Sequence, residues 1–239
     1  MEQENIAVNS QQDESNGGLS FRGLIEVFYK PTAFFNRLKD NPKVLVVYIA
    51  LTILTFAFWW IVKDIFVQTL MELPEFRERL GGQELTPQIR NIMGIGQAVQ
   101  NTLFFVLGPL VAALLAWFWG NVVMAAEARF KQLLSVMLYG ELIYAIGNLL
   151  TLPMILTKKS IFVSMSLGAL APEKSFTNPL YLILSKLDIF LIWEIIIIGI
   201  GLAIVFNFSR NKGYLLSVIS MGLLSIFGVV WAIVSTALF

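Results

Sequence analysis

Residues 44–62 read VLVVYIALTILTFAFWWIV, nineteen uncharged residues between Lys43 and Lys63. A helix needs about 20 apolar residues to cross the roughly 30 Å of hydrocarbon in a bilayer, and this run meets that length. It ends with Trp59 and Trp60, and tryptophan is enriched at the membrane interface. The run therefore predicts a transmembrane helix.

Four further runs of the same kind follow along the chain. They cover residues 102–126, 133–156, 187–206 and 214–239. The chain is 57% hydrophobic and only 14% charged, whereas a soluble domain carries about 25% charged residues. Such an excess of apolar residues cannot be enclosed in one soluble core. The sequence predicts an all-α polytopic membrane protein, a bundle of about five transmembrane helices with amphipathic interfacial helices.

The segments outside these runs have different compositions. Residues 1–20 carry acidic but no basic residues and many Ser, Asn and Gln, which predicts a disordered tail rather than a signal peptide. Residues 21–43 place apolar residues on one side and are interrupted by Pro31, which predicts a helix, a break and a second helix. Residues 64–93 have a similar pattern, with Thr86 and Pro87 predicted to begin a helix. Either segment lies on the membrane surface or packs against the bundle formed by 44–239.

The basic residues give a prediction of topology. Nine lie before the first run or in the two short connections that share its side, and eight lie opposite. The positive-inside rule gives most weight to short loops, so it predicts a cytoplasmic amino terminus.

The composition also excludes several kinds of chemistry. There is no Cys and no His, so disulfides, thiol catalysis and the commonest zinc sites are excluded. The formal net charge of +1 does not indicate a nucleic-acid partner. We find no nucleotide-binding glycine loop and no nucleophile motif. We therefore expect neither cofactor nor metal, and no enzymatic activity.

Two glutamates inside the predicted spans are the most distinctive polar residues. A carboxylate in the middle of a span costs about 2–3 kcal/mol, so Glu141 and Glu194 are expected to face the interior of the bundle. From the predicted span ends, their depths should differ by roughly 8–10 Å. Tyr144 and Asn148 follow Glu141 on one helix face. The functional hypothesis is a proton, cation or substrate site built from these four residues, and the alternative is a hydrogen-bonded pair that stabilises packing.

Other residues are expected to act in helix structure and packing. Asp188 lies near the start of the fourth span, where a negative charge complements the helix dipole. Small residues repeat every four positions along the second span, with a shorter pair on the fourth, and they predict close helix packing within the chain or self-association. These residues are Gly108, Ala112, Ala116 and Gly120, then Gly199 and Ala203.

Five short segments, in chain order, are similar to segments of a known membrane-protein family. Residues 25–35 read IEVFYKPTAFF, an aromatic run that leads into Pro31, and residues 130–136 read FKQLLSV. Residues 187–193 read LDIFLIW, containing Asp188 and ending at Trp193; they are followed by GIGL at 199–202 and the basic turn SRNK at 209–212. Over roughly residues 21–235 the chain resembles Yip1-domain proteins.

The resemblance implies a five-helix membrane protein with a cytoplasmic amino terminus. Eukaryotic members of the family are associated with the endoplasmic reticulum and Golgi, bind Rab-type GTPases and one another, and act in vesicle formation. The Asp-Leu-Tyr-Gly-Pro stretch typical of those members is absent here, and the tail is short. These differences argue against a Rab-type GTPase partner and favour a prokaryotic-type member in the plasma membrane.

The leading hypothesis is a non-enzymatic protein that organises or escorts other membrane components. Its partners would be membrane lipids, itself or other membrane proteins. The alternative is a transporter or channel-like protein that uses Glu141 and Glu194, and a third hypothesis is lipid handling by the amphipathic segments.

Overall fold

The computed structural model describes residues 21–81 and 83–238, and the predicted tail 1–20 lies outside that range. Within it the chain forms nine α-helices and no extended strand. In chain order they are α1 (Phe21–Tyr29), α2 (Pro31–Leu38), α3 (Leu45–Glu72), α4 (Pro74–Arg79), α5 (Pro87–Trp117), α6 (Phe130–Lys158), α7 (Pro179–Lys186), α8 (Ile189–Val205) and α9 (Arg210–Leu238). The predicted all-α fold is confirmed.

Four of these helices are long and apolar enough to cross a membrane: α3, α5, α6 and the part Arg210–Val230 of α9. The fourth predicted span, 187–206, is the shorter helix α8 of 17 residues. At 1.5 Å per residue, α8 is roughly 25 Å long, at the lower limit for a crossing.

Two helices extend beyond the apolar runs that predict their spans. The helix α3 includes the apolar run and continues beyond Lys63 to Glu72, two residues before Pro74. The helix α5 begins at Pro87, before the apolar run 102–126, and is followed by a π-helical turn, Phe118–Val123. The ends of these helices therefore do not coincide with the ends of the hydrophobic runs.

Capping residues account for several helix starts. The backbone amide of Ile89 donates to Thr86 Oγ1 at 3.4 Å, so Thr86 caps α5 and Pro87 is its first residue, as predicted. Asn178 Oδ1 accepts from the amides of Leu180 at 2.9 Å and Tyr181 at 3.2 Å and caps α7 in the same way. A cap accepts from amides that have no partner within the helix.

The chain divides into two compact units, and each of the five long or apolar helices contributes residues to both. The first unit comprises residues 21–49, Pro109–Glu141 and Glu194–Met221. Its core contains Phe34, Phe35 and Tyr139, with the rings of Phe34 and Tyr139 4.8 Å apart.

The break predicted at Pro31 is present between α1 and α2. In α2, however, Phe34, Phe35 and Leu38 are buried inside the first unit. The side chain of Gln132 donates to the backbone oxygen of Lys39 at 2.7 Å and fixes the end of this segment. The sequence left two alternatives for this segment, a location on the membrane surface or packing against the rest of the protein. The buried residues show that α2 packs against the protein.

The second unit comprises Ala50–Gly108, Leu142–Trp193 and the remainder of α9. Its core contains Phe58, Val62 and Ile155, with Trp59 and Ile161 packed beside them. The connection between α6 and α7 is held by the 3₁₀ turn Leu167–Leu170, whose first amide donates to the oxygen of Leu187 at 3.0 Å.

Candidate functional site: an acid pair within the helices

Glu141 on α6 and Glu194 on α8 both belong to the first unit. Gly140 brings the two helices together, because a Cβ atom at that position would lie 2.4 Å from Ile198 Cγ1 and 3.6 Å from Glu194 Cγ. A residue with a side chain at position 140 would push α8 away. Gly140 thus allows Glu194 to approach the helix that carries Glu141.

Glu194 is the more enclosed of the two acids. It is 1% exposed, and its Oε1 is buried without a hydrogen-bond partner among the residues that the structure describes. Its neighbour Glu141 is half-buried, and the two carboxyl groups are close enough for their charges to interact. Two ionised carboxylates at such a place repel each other. The close approach of these two acids is the geometric basis of the candidate site.

The predicted difference in depth of roughly 8–10 Å is wrong. Glu194 lies level with Gly140, the residue beside Glu141. The prediction measured each depth from the end of its predicted span, whereas α6 begins three residues earlier, at Phe130, and α8 has only 17 residues. The relative depth of the two glutamates depends on the axial offset between α6 and α8, and the close contact at Gly140 fixes this offset.

The other two residues of the predicted polar site lie in the second unit. Tyr144 is 40% exposed and Asn148 is half-buried, with its backbone oxygen accepting from the Thr151 hydroxyl at 3.0 Å. The structure thus brings together the two acids.

Asp188 is the N-cap of α8. Its Oδ1 accepts from the amide of Phe190 at 2.7 Å, and its backbone oxygen accepts from Ile192 at 3.1 Å. Trp193 is 36% exposed, and Pro31 is the first residue of α2. Asp188 and Pro31 thus lie where they define the start of a helix.

The small residues of α5 lie mostly inside the protein. Ala112, Ala116 and Gly120 are buried, and a Cβ atom at Gly120 would lie 2.2 Å from Phe206 Cζ. Gly108, in the second unit, is half-buried with Leu224 Cδ2 3.9 Å from its Cβ position. Packing within the chain therefore uses Ala112, Ala116 and Gly120.

Gly199 and Ala203 on α8 face α9. The Cβ position of Gly199 lies 2.4 Å from Tyr214 Cδ1, and that of Gly213 lies 2.3 Å from the Gly199 oxygen and 2.6 Å from Ala203 Cβ. The hydroxyl of Ser217 donates to the oxygen of Ile195 at 2.8 Å across the same contact. Small residues here allow the two backbones to approach closely.

The family model of the Yip1 domain matches residues 25–232, nearly the whole chain. The chain belongs to the Yip1-domain family. No curated protein and no solved structure gives a significant match. The resemblance inferred from five ordered stretches is confirmed, and so is the prediction of a multi-pass membrane protein.

The sequence analysis missed a polar cluster in the second unit of this Yip1-domain protein. The hydroxyl of Ser175 hydrogen-bonds Glu75 Oε1, and that of Thr177 donates to the same oxygen at 3.4 Å. Burial by itself would raise the pKa of Glu75, but these hydrogen bonds and the charge of Arg79 outweigh it and hold the pKa below its usual range. One hundred residues separate Glu75 from Ser175, so no local pattern could reveal the cluster.

A second missed feature closes the loop after the π-helical turn. Asn121 donates to the oxygen of Ala128 at 3.0 Å and accepts from its amide at 2.8 Å. Ala125, within this loop, has a φ of 52°. An Asn beside a predicted helix end is the signal that could have suggested such a link, because its amide matches both backbone groups.

Proposed function

We propose that this Yip1-domain protein is a non-enzymatic membrane component that organises or escorts other membrane proteins or lipids. The supporting observation is the apolar helix surface that the chain leaves uncovered. In α3, α5 and α9, only 28% of the most apolar 18-residue window is buried within the chain, against 61% in α6. In a bilayer such surfaces contact lipid tails or the helices of other membrane proteins, because both are as apolar as the exposed side chains.

Site-specific photo-crosslinking in intact membranes tests this proposal. Ile53 on α3 is 64% exposed, whereas Leu51 on the same helix is 1% exposed and serves as the matched control. Ile226 on α9 is 61% exposed and provides a second probe. We expect photoreactive residues at 53 and 226, but not at 51, to give one discrete product of fixed stoichiometry.

Intact-complex mass spectrometry of protein extracted under mild conditions then identifies that product as a second copy, another membrane protein or a specific lipid. A strictly monomeric protein whose probes capture only bulk lipid would contradict the proposal.

A second candidate is a transport or relay function that uses the acid pair. The observation in its favour is the buried Oε1 of Glu194, which has no hydrogen-bond partner in the described part of the chain. Carboxyl groups inside membrane helices that lack a structural partner often mark ion or proton pathways.

Glutamine substitutions separate the two candidates. Glu141→Gln and Glu194→Gln keep the side-chain size but remove the titratable oxygen, and Glu127→Gln on an exposed loop is the matched control. In sealed vesicles, a transport function predicts loss of proton or cation flux in the first two variants and not in the third. Unchanged flux at equal protein levels would exclude the relay and leave the organising role untouched.

We propose a cytoplasmic amino terminus, on the basis of the loop charges. We propose a prokaryotic plasma membrane because the Asp-Leu-Tyr-Gly-Pro stretch of the eukaryotic members is absent. Because the chain contains no Cys, single cysteines can report the side of each loop. A cysteine at position 39 should resist an impermeant thiol reagent added outside, and one at position 174 should react. The reverse pattern would invert the topology.

A further inference from the structure

A cavity of about 560 Å³ lies at the end of α6 in the second unit. Its walls are mainly apolar and include Pro153 and Met154 from the last turns of the span, with Phe162 and Val163 from the connection that follows. Two lysines, Lys158 and Lys174, line the same cavity. Its volume is within the range of about 300–1,000 Å³ that is usual for small-ligand sites.

Both ammonium groups are exposed and available. Neither Lys158 nor Lys174 has an ion pair or hydrogen bond among residues 21–81 and 83–238. The nearby acids have other partners: Glu173 accepts from Asn178 Nδ2 at 3.2 Å, and Glu75 accepts from Ser175. The cavity therefore has two positive charges that the described chain does not neutralise.

The position of the cavity along α6 gives the class of ligand. Lys158 is the last residue of a helix that is long and apolar enough to span a membrane, and Met154 lies one turn before it. In a bilayer this is the level at which acyl chains meet headgroups. An occupant must therefore combine an anionic group near the two lysines with an apolar part along the walls formed by Pro153, Met154 and Phe162.

We propose that this cavity is a binding site for an anionic phospholipid, whose phosphate lies between Lys158 and Lys174 and whose first acyl segment lies on the apolar wall. Lysines at membrane interfaces also attract anionic lipids without any defined site. A defined site differs from this general attraction because it depends on the lysines that line the cavity and not on their neighbours. The site goes beyond the organising role and does not depend on it.

The test is a lipid titration of the full-length protein in a mild detergent, followed by native mass spectrometry. The two probes are phosphatidylglycerol and phosphatidylcholine with the same acyl chains. The variants are Lys158→Gln and Lys174→Gln, and Lys159→Gln is the matched control because it removes the same charge one residue away, outside the cavity lining. Unchanged helical circular dichroism verifies that each variant is folded.

We expect one tightly retained phosphatidylglycerol in the unmodified protein and weaker binding of phosphatidylcholine. Each cavity variant should lose about fivefold in affinity, which corresponds to about 1 kcal/mol per basic residue, and Lys159→Gln should stay within about twofold of the unmodified protein. Equal losses in all three variants, or no preference for phosphatidylglycerol, would overturn the proposal. Displacement of the lipid by excess inorganic phosphate would also overturn it, because a site that needs the acyl chain should not accept the free anion.

Discussion

The contact between α8 and α9 at Gly213 gives the sharpest test of this structure. A Cβ atom at position 213 would lie 2.3 Å from the backbone oxygen of Gly199 and 2.9 Å from the backbone nitrogen of Ala203. Real Cβ contacts begin at 3.0–3.4 Å, so Gly213→Ala requires α9 to move by about 1 Å. Neither atom can move away by a side-chain rotation, because both belong to the backbone of a helix.

Overpacking of this kind costs about 1–3 kcal/mol in the free energy of unfolding. For a chain of this length, each kcal/mol lowers the midpoint of thermal unfolding by about 2–4 °C, so we expect Gly213→Ala to lower it by about 2–12 °C. The matched control is Gly222→Ala on the same helix, whose Cβ position has no atom within 4 Å. Alanine there should be neutral or stabilise the helix by up to about 1 kcal/mol.

The assay is thermal unfolding of both variants in the same detergent, followed by intrinsic fluorescence of the six tryptophans and by helical circular dichroism. A Gly213→Ala midpoint equal to that of Gly222→Ala would refute the close approach of the two helix backbones. That result would also contradict the interpretation that the small residues on α8 allow α9 to pack closely against it.

Three further outcomes are expected in the same assay. Asp188→Ala should cost about 1 kcal/mol because the amide of Phe190 loses its acceptor, whereas Asp188→Asn should keep most of the cap. Because the pKa of Glu75 is lowered in the folded protein, its carboxylate stabilises the fold above the unfolded-state pKa, and this contribution is lost as the pH falls through the folded-state pKa. Ser175→Ala removes one hydrogen bond that lowers this pKa. It should therefore flatten the dependence of the unfolding midpoint on pH between about 3 and 6. Asn121→Ala removes two hydrogen bonds to one loop residue and should cost about 1–3 kcal/mol, while a loss below about 0.3 kcal/mol would show that the loop closes without them.

Hydrophobic runs and helix-starting residues were predictable because each depends on neighbours along the chain. The run at 44–62, the break at Pro31 and the cap at Thr86 all follow from local composition and backbone chemistry. The helix ends were less predictable. Residues 64–72 remain helical beyond Lys63, since a helix does not need to end where its hydrophobic run ends.

The candidate site was predictable only in part. A carboxylate inside an apolar run is visible from composition and cost, so Glu141 and Glu194 could be identified. Their common depth could not be predicted, because it depends on the close approach of α8 to α6 at Gly140, where no side chain separates the helices. The exposure of Tyr144 could not be predicted either, because the sequence of one helix does not show which neighbouring helices cover each of its faces.

The sequence by itself determined that this chain is helical, lies in a membrane and belongs to the Yip1-domain family, because apolar run length and motif order are properties of the linear chain. Only the tertiary structure decided which polar groups meet. It placed Ser175 against Glu75 across one hundred residues and Glu194 beside Glu141, and it left Lys158 and Lys174 around one cavity. The physical reason is that hydrophobicity selects which segments leave water, whereas the depth and rotation of each helix are set by contacts between side chains far apart in sequence.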